Sequence, residues 1–299
     1  MTGAAGFIGT HLVESLVSSG ANVIGIDDQR TGDWSRLRAS CTRLDRDLTT
    51  FSEAEFRSLV QDADLVFHLA AEKYNSSKAT PQSVIDTNVT ASHRLFTAAA
   101  KEHAKVVFTS SLYAYGAVGP EPMSELDVLE PDTVYGASKA TGEYLLRSAG
   151  RDHGLEWAVA RLFFVYGPRQ FAEGGYKSVI VKNFERLQSG LAPVIVGDGE
   201  QQLDYVFIDD VVSALHQLGE ARHNGLVVNI GTGCGISINE ITEKMTTIAN
   251  YRQLPESAPP DWTAGSRRVA DTTRARHHLH WAPQRLEDGL RQVWEGLGG

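Results

Sequence analysis

Met1-Thr2-Gly3-Ala4-Ala5-Gly6-Phe7-Ile8-Gly9 opens the chain, and an amphipathic stretch, Gly9–Ser19, follows it. Three glycines spaced three apart let a backbone turn tightly and approach a pyrophosphate. The helix beginning there offers free N–H groups and the positive end of its dipole. A plain strand-to-helix turn has the same look. What favours the dinucleotide reading is a second apolar run, Val23 to Asp27, which ends in Asp27-Asp28. A carboxylate about twenty residues past the turn is placed to accept hydrogen bonds from an adenosine ribose. It also repels a 2′-phosphate, so the pattern favours NAD over NADP, with Arg30 as the residue arguing the other way.

The strand that should precede the turn is absent, because the turn begins at Thr2. In a doubly wound sheet that strand is central, and its loss leaves two neighbours with unpaired edges. The natural start is therefore expected several residues upstream, with Met1 standing where a Val is usual. A chain that truly began here would have a weakened cofactor site.

Outward from the turn, short apolar runs alternate with helical patterns. Val23–Asp27, Leu65–Ala71, Lys105–Ser111 and Glu156–Gly167 read as buried strands, and Gly9–Ser19, Val84–Glu102 and Tyr135–His153 as helices between them. This alternation predicts an α/β fold, a doubly wound parallel sheet of the Rossmann type. Past residue 168 the pattern loosens into shorter strands (Pro193–Val196, Tyr205–Ile208, Val227–Ile230) and two helices (Lys177–Ser189, Ser237–Asn250). We expect a cofactor-binding domain over 1–167 and a smaller mixed α/β substrate lobe over 168–299, with 204–233 returning to the first. Pro255–Pro260 reads as a surface loop.

Bulk properties exclude several functions. The 299 residues are 42% hydrophobic and 22% charged, as in ordinary globular proteins, and the formal net charge is −9 without a basic run. Nucleic acid and membrane surfaces are poor partners for such a chain. Cys41 and Cys234 stand alone, which argues against a metal site or a disulfide and fits a reduced, cytoplasmic protein. No run approaches the 18 or so apolar residues of a membrane span.

Tyr135-Gly136-Ala137-Ser138-Lys139 places a phenol and an ammonium at i and i+4 on one helix face. An ammonium beside a phenol lowers the phenol's pKa toward that of a usable base. Phe108-Thr109-Ser110-Ser111 ends a strand at its carboxyl edge, where ligands bind in such sheets. An isolated Tyr and Lys at this spacing are common as surface residues. Together with the Gly-rich turn and Asp27 they form a set.

At this point the chain resembles the extended short-chain dehydrogenase/reductase family, in particular its NAD-dependent nucleotide-sugar epimerases and dehydratases. The resemblance runs through TGAAGFIG, Asp27, Asp47-Leu48, His68-Leu69-Ala70-Ala71, Asn88-Val89, Ser110–Gly116, YGASK, Val165–Gln170, Asp198–Gln201, Asn229–Gly233, Ala270-Asp271 and Trp281-Ala282-Pro283. It implies Tyr135 as base, Lys139 as its tuner and ribose anchor, and Ser111 as proton relay. Asp47 and Leu48 would flank the adenine, Lys73 would contact the cofactor, and Asn88 would belong to the same wall. Tyr135 would take the proton of the sugar 4-hydroxyl as carbon 4 gives hydride to NAD; the 4-keto sugar would turn over and take the hydride back on its other face. A homodimer through helices near Ala91–Lys101 and Ser138–Arg151 is also implied.

Departures from the family pattern bear on substrate. Dehydrating and decarboxylating relatives carry an acid after the catalytic Ser/Thr, for a second proton transfer. Here Leu112 and Tyr113 stand there, which favours simple epimerisation, most directly of a UDP-hexose. Phe164 replaces a usual Asn, Leu203 replaces an Arg that grips the diphosphate, and Asp261 stands near a second lost Arg. Arg169, Arg267 and Arg268 are candidate replacements, with solvated surface charge as the alternative for each. Two other functions stay open. A dehydrogenase or reductase on a non-nucleotide alcohol would release NADH, and a silent binding protein would be indifferent to Tyr135→Phe.

Overall fold

The computed structural model describes residues 1–116, 122–171, 177–220 and 222–299. After the Gly-rich turn come α1 (Phe7–Ser18), β1 (Ile24–Asp27), β2 (Thr42–Asp45), α2 (Glu53–Val60) and β3 (Leu65–His68). Then follow α3 (Tyr74–Ala79), α4 (Pro81–Val84), α5 (Ser92–Lys101), β4 (Lys105–Ser111), α6 (Val134–His153) and β5 (Trp157–Leu162). The remainder holds β6 (Phe164–Tyr166), α7 (Val179–Gln188), β7 (Val194–Val196), β8 (Gln202–Leu203), β9 (Tyr205–Phe207), α8 (Ile208–Gly219) and β10 (Leu226–Ile230). Last come β11 (Ile236–Ser237), α9 (Ile238–Ile248), β12 (Glu256–Ala258), β13 (Arg267–Arg268), α10 (Thr273–His278) and α11 (Leu286–Gly296).

Strands β3, β4, β5 and β10 pair in parallel in that order, and β1 pairs in parallel with β2. Alternate residues of these strands feed two cores, one on each face. Phe67, Val107, Ala158 and Val228 enter one, while Val66, Val106, Val159 and Val227 enter the other. A sheet covered on both faces needs near-continuous apolar strands, and β4, β5 and β10 are buried throughout.

The two halves of this sheet meet at Thr2, which bridges both Ile26 and His68. Thr2 N donates to Phe67 O (3.0 Å), Leu69 N to Thr2 O (3.2 Å), Gly3 N to Ile26 O (2.9 Å) and Ile26 N to Met1 O (2.8 Å). The expected pair of open edges is thus joined where the turn needs support. Thr2 is anchored further by its Oγ1, 2.7 Å from Nδ1 of the buried His68, whose Nε2 meets Ser92 Oγ at 2.7 Å.

Three expectations need correction. Glu156–Gly167 is two strands: Phe163 N still donates to Ile230 O, whereas Phe164 N donates to Asp204 O, so the chain leaves β10 for β9 within one residue. Pro255–Pro260 is not a loop throughout, because Glu256–Ala258 is strand β12, paired with β7. The helix over Val84–Glu102 contains a π-helical turn at Ile85–Ala91, which aligns Asn88 toward the Glu72 backbone. Within 168–299, α8 packs on α1 and the main sheet, and β10 joins that sheet beside β5. No helix among the described residues is long and apolar enough to cross a membrane.

Candidate active site

A cavity of about 320 Å³ lies at the carboxyl ends of the parallel strands and reaches from the Gly-rich turn to Tyr135. At one end Gly3 holds φ +69°, and a Cβ there would lie 2.7 Å from Ala70 N. A Cβ on Gly9 would lie 2.0 Å from Gly3 O, so helix α1 can approach the turn this closely only without one. No side chain caps α1. Gly6, Phe7 and Ile8 at its start line the cavity, as do Leu69, Ala70 and Ala71. Such a cradle suits a pyrophosphate.

Asp27 lines the next part of the cavity and accepts from Ala5 N (3.0 Å) and Gln29 N (2.8 Å). Burial pushes its carboxyl above the usual range, and those two donors partly offset this. Asp28 also lines the cavity and pairs with Arg30. Arg30 reaches Glu72 and, at 3.8 Å, Asp47 as well, so three carboxylates hold this cation, whose place beside Asp28 argued for a 2′-phosphate. Lys73 lines the cavity too; burial lowers its pKa, opposed by Asp27 and Glu72.

Ser111, Tyr135 and Lys139 come together at the other end. Ser111 acts to lower the pKa of the neighbouring Tyr135 phenol. Ser111 Oγ also accepts from Tyr113 N (3.3 Å), capping the turn over Leu112–Ala114. Lys139 Nζ donates to Thr109 O (2.9 Å) and lies 5.9 Å from the Tyr135 ring centre. The expected lowering of the phenol is not found in the free cavity. Burial pushes Tyr135 up to about 12, with Ser111 only partly opposing it. Burial also brings Lys139 down to about 7, against the pull of Glu143. Burial thus opposes the charged form of both groups.

Other anticipated residues sit elsewhere. Asp47 caps the turn Leu48–Thr50 through Thr49 N, and its neighbours Arg46 and Leu48 line the cavity instead. Asn88 stands behind the wall: Oδ1 accepts from Glu72 N (2.7 Å), and Nδ2 donates to Glu72 O (3.0 Å) and Ser138 Oγ (3.0 Å). Arg169 turns away to grip Glu14 with both Nη atoms, at 2.7 and 2.8 Å, and donates to Arg36 O. Arg267 donates to Gln202 Oε1 at 3.3 Å, outside the cavity lining. Arg268 is buried with its guanidinium 5.1 Å from the Trp262 ring, and its Nε lacks a hydrogen-bond partner among the described residues. Phe164 lines the cavity and, with Tyr74, Tyr113 and Trp262, forms an aromatic cluster. Leu203 is buried core. Among the described residues no cluster of three or more His, Cys, Asp or Glu could hold a metal ion.

Sequence reading missed Tyr74 and Glu72 on the wall and the buried pair Glu143–Arg161 beneath it. The signal for that pair was present. Glu143 repeats the spacing of Tyr135 and Lys139, and Arg161 is the only charge in a strand otherwise apolar.

A parallel sheet with a glycine-lined turn, a cavity-lining carboxylate and a Ser–Tyr–Lys set fits a dinucleotide-dependent enzyme of proton and hydride transfer. The chain belongs to the NAD dependent epimerase/dehydratase family, whose model matches residues 1–231. It is 34% identical to a UDP-glucose 4-epimerase of Mycolicibacterium smegmatis over 99% of this chain and 96% of that protein. Among solved structures it resembles the Thermotoga maritima UDP-glucose 4-epimerase with UDP-glucose (TM-score 0.92, 32% identity, 99% of this chain and 97% of that one). It also resembles the Thermus thermophilus UDP-glucose 4-epimerase complex with NAD (TM-score 0.89, 28% identity, 100% and 98%).

Proposed function

We propose that this chain is an NAD-dependent 4-epimerase of a nucleotide-linked sugar, with a UDP-hexose as its first candidate substrate. The observation that carries the reading is the convergence of Ser111, Tyr135 and Lys139 on one cavity whose other end is the Gly3–Gly9 cradle. Apolar Leu112 and Tyr113, in place of an acid, favour epimerisation over loss of water or carbon dioxide. NAD held there by the Gly3–Gly9 cradle and Asp27 would supply reversible hydride transfer at carbon 4. Ser111 and Tyr135 take the proton of the 4-hydroxyl and give it back, and Lys139, together with a cationic cofactor ring, favours the phenolate that does so. Arg268, which does not line the cavity, is the anticipated cation whose buried Nε is left without a hydrogen-bond partner among the described residues. The test is proton NMR of the protein with catalytic NAD and a panel of UDP-hexoses, UDP-N-acetylhexosamines and UDP-glucuronate. A new 4-epimer anomeric signal without accumulating NADH is expected.

A dehydrogenase acting on a non-nucleotide alcohol is the second reading, favoured by Arg169 being held by Glu14 and Leu203 being core. Net NADH release would select it. The assembly proposed is a cytoplasmic homodimer through α5 and α6, which lie side by side with Tyr144 exposed on α6.

For the cofactor, Asp27→Ala is expected to weaken NAD binding roughly ten- to a hundredfold, as a charged acceptor contributes about 1.5–3 kcal/mol. NADP should not gain to match, because Arg30 stays paired with Asp28, Asp47 and Glu72. Calorimetric titration with both dinucleotides reads this. An Asp27→Ala protein that prefers NADP would sink it.

A further inference from the structure

Beneath the cavity lies a buried polar chain that the reaction above does not use. Arg161 and Glu143 are each 1% exposed. The guanidinium meets the carboxylate at both oxygens, Nε to Oε1 at 2.9 Å and Nη2 to Oε2 at 2.7 Å, and Nη1 donates to Tyr115 OH at 2.9 Å. Ser110 Oγ donates to Glu143 Oε1 (2.6 Å), and Tyr115 OH donates to Asn229 Oδ1 (2.7 Å). Asn229 Nδ2 in turn donates to Met123 O (2.8 Å) and Asp271 O (3.3 Å), while Asn229 N donates to Glu125 (2.7 Å). One continuous set of hydrogen bonds therefore joins β4, α6, β5, the turn after Ser111 and β10.

Stability alone is a weak reason for such a pair, because well-packed apolar residues replace buried ion pairs with little or no loss. Its placement suggests another role. Glu143 lies one helical turn beyond Lys139, and Tyr135 one turn before it. Ser110 directly precedes Ser111, and Tyr115 closes the turn that Ser111 caps. The ionisable groups around Lys139 are few. Tyr135 and Glu143 share its helix, Arg161 stands on β5 behind Glu143, and His68 on β3 is held neutral by burial, with its pKa down to about 3. Strand β4 offers the Thr109 carbonyl and the Phe108 ring. Glu143 is thus the anion that favours a charged Lys139, and Arg161 is ion-paired to it.

We propose that Glu143 and Arg161 are positioning residues for the Ser111–Tyr135–Lys139 set: their balanced charges govern the protonation of Lys139, and their hydrogen bonds fix the Ser111 turn against α6. The inference rests on the acid–base reading of that set, so its test is made without turnover. The Lys139 side chain is titrated by carbon-13 NMR in the full-length free protein labelled at lysine Cε, its signal assigned by absence in Lys139→Met. Glu143→Gln removes the anion and leaves Arg161, so the Lys139 midpoint moves to lower pH. Arg161→Gln leaves Glu143 uncompensated, so the midpoint moves to higher pH. The double variant, with both charges gone, titrates above Glu143→Gln. A merely structural pair would lower stability in all three without opposed shifts. Shifts of one sign, or an unmoved midpoint in folded Glu143→Gln, overturn the proposal. If Arg161→Gln does not fold, the order of the double variant and Glu143→Gln decides it. Opposed shifts in a protein inactive on the sugar panel would keep the pair's role and remove the epimerase reading.

Discussion

Tyr135→Phe is expected to slow the proposed epimerisation by about 10²–10⁴-fold, the usual contribution of a positioned acid–base group. The change deletes one oxygen and little else. The ring keeps its edge-on packing against Tyr113, 5.4 Å between centres, and Ser111 keeps its bond from Tyr113 N. In the free protein the phenol is already held protonated, with its pKa pushed up to about 12. Loss of the hydroxyl therefore removes no charge that folding relies on near neutral pH. NAD affinity and the denaturation midpoint should stay close to those of the parent, which separates a chemical defect from a structural one. Single-turnover NMR on the active sugar, beside calorimetric NAD titration, makes the comparison. Undiminished turnover would take Tyr135 out of the reaction.

The second large effect separates two glycines of one motif. Gly9→Ala would set its Cβ 2.0 Å from Gly3 O and 2.9 Å from Ala4 C, both backbone. The start of α1 would have to withdraw, at a cost of about 1–3 kcal/mol or more, as for other overpacked sites. A lower urea midpoint with an unchanged slope would report it. Gly6→Ala differs. Gly6 has an ordinary φ of −73°, and a Cβ there would meet only Gly3 O, at 3.2 Å. Its fold should survive with modest adjustment, but a methyl group would stand at the cavity face of the cradle. NAD binding should weaken at least about tenfold, equivalent to about 1.4 kcal/mol. Equal losses of stability in both variants would show that the turn acts only as a structural unit and would argue against phosphate approach at Gly6.

By itself the sequence determined those features whose cause is local. A glycine is required wherever a Cβ would strike backbone, as at Gly3 and Gly9, and that need is written in the residue. Helical spacing put Tyr135 and Lys139 on one face, and apolar runs marked β4, β5 and β10 as strands buried on both sides. The order of these elements was enough for the parallel sheet and for the ends of the cavity. What the tertiary structure alone decided depends on partners far along the chain. Arg169 is directed to Glu14, 155 residues away, and Tyr115 to Asn229, 114 away. Thr2, flanked by the Met1 and Gly3 backbone, bridges Ile26 and His68 and so joins two halves of the sheet. The titration of Tyr135 and Lys139 was set there too. Spacing brings an ammonium near a phenol, but burial of both moved the phenol up and the ammonium down. Burial is a property of everything packed around a group, and no short stretch of sequence contains it.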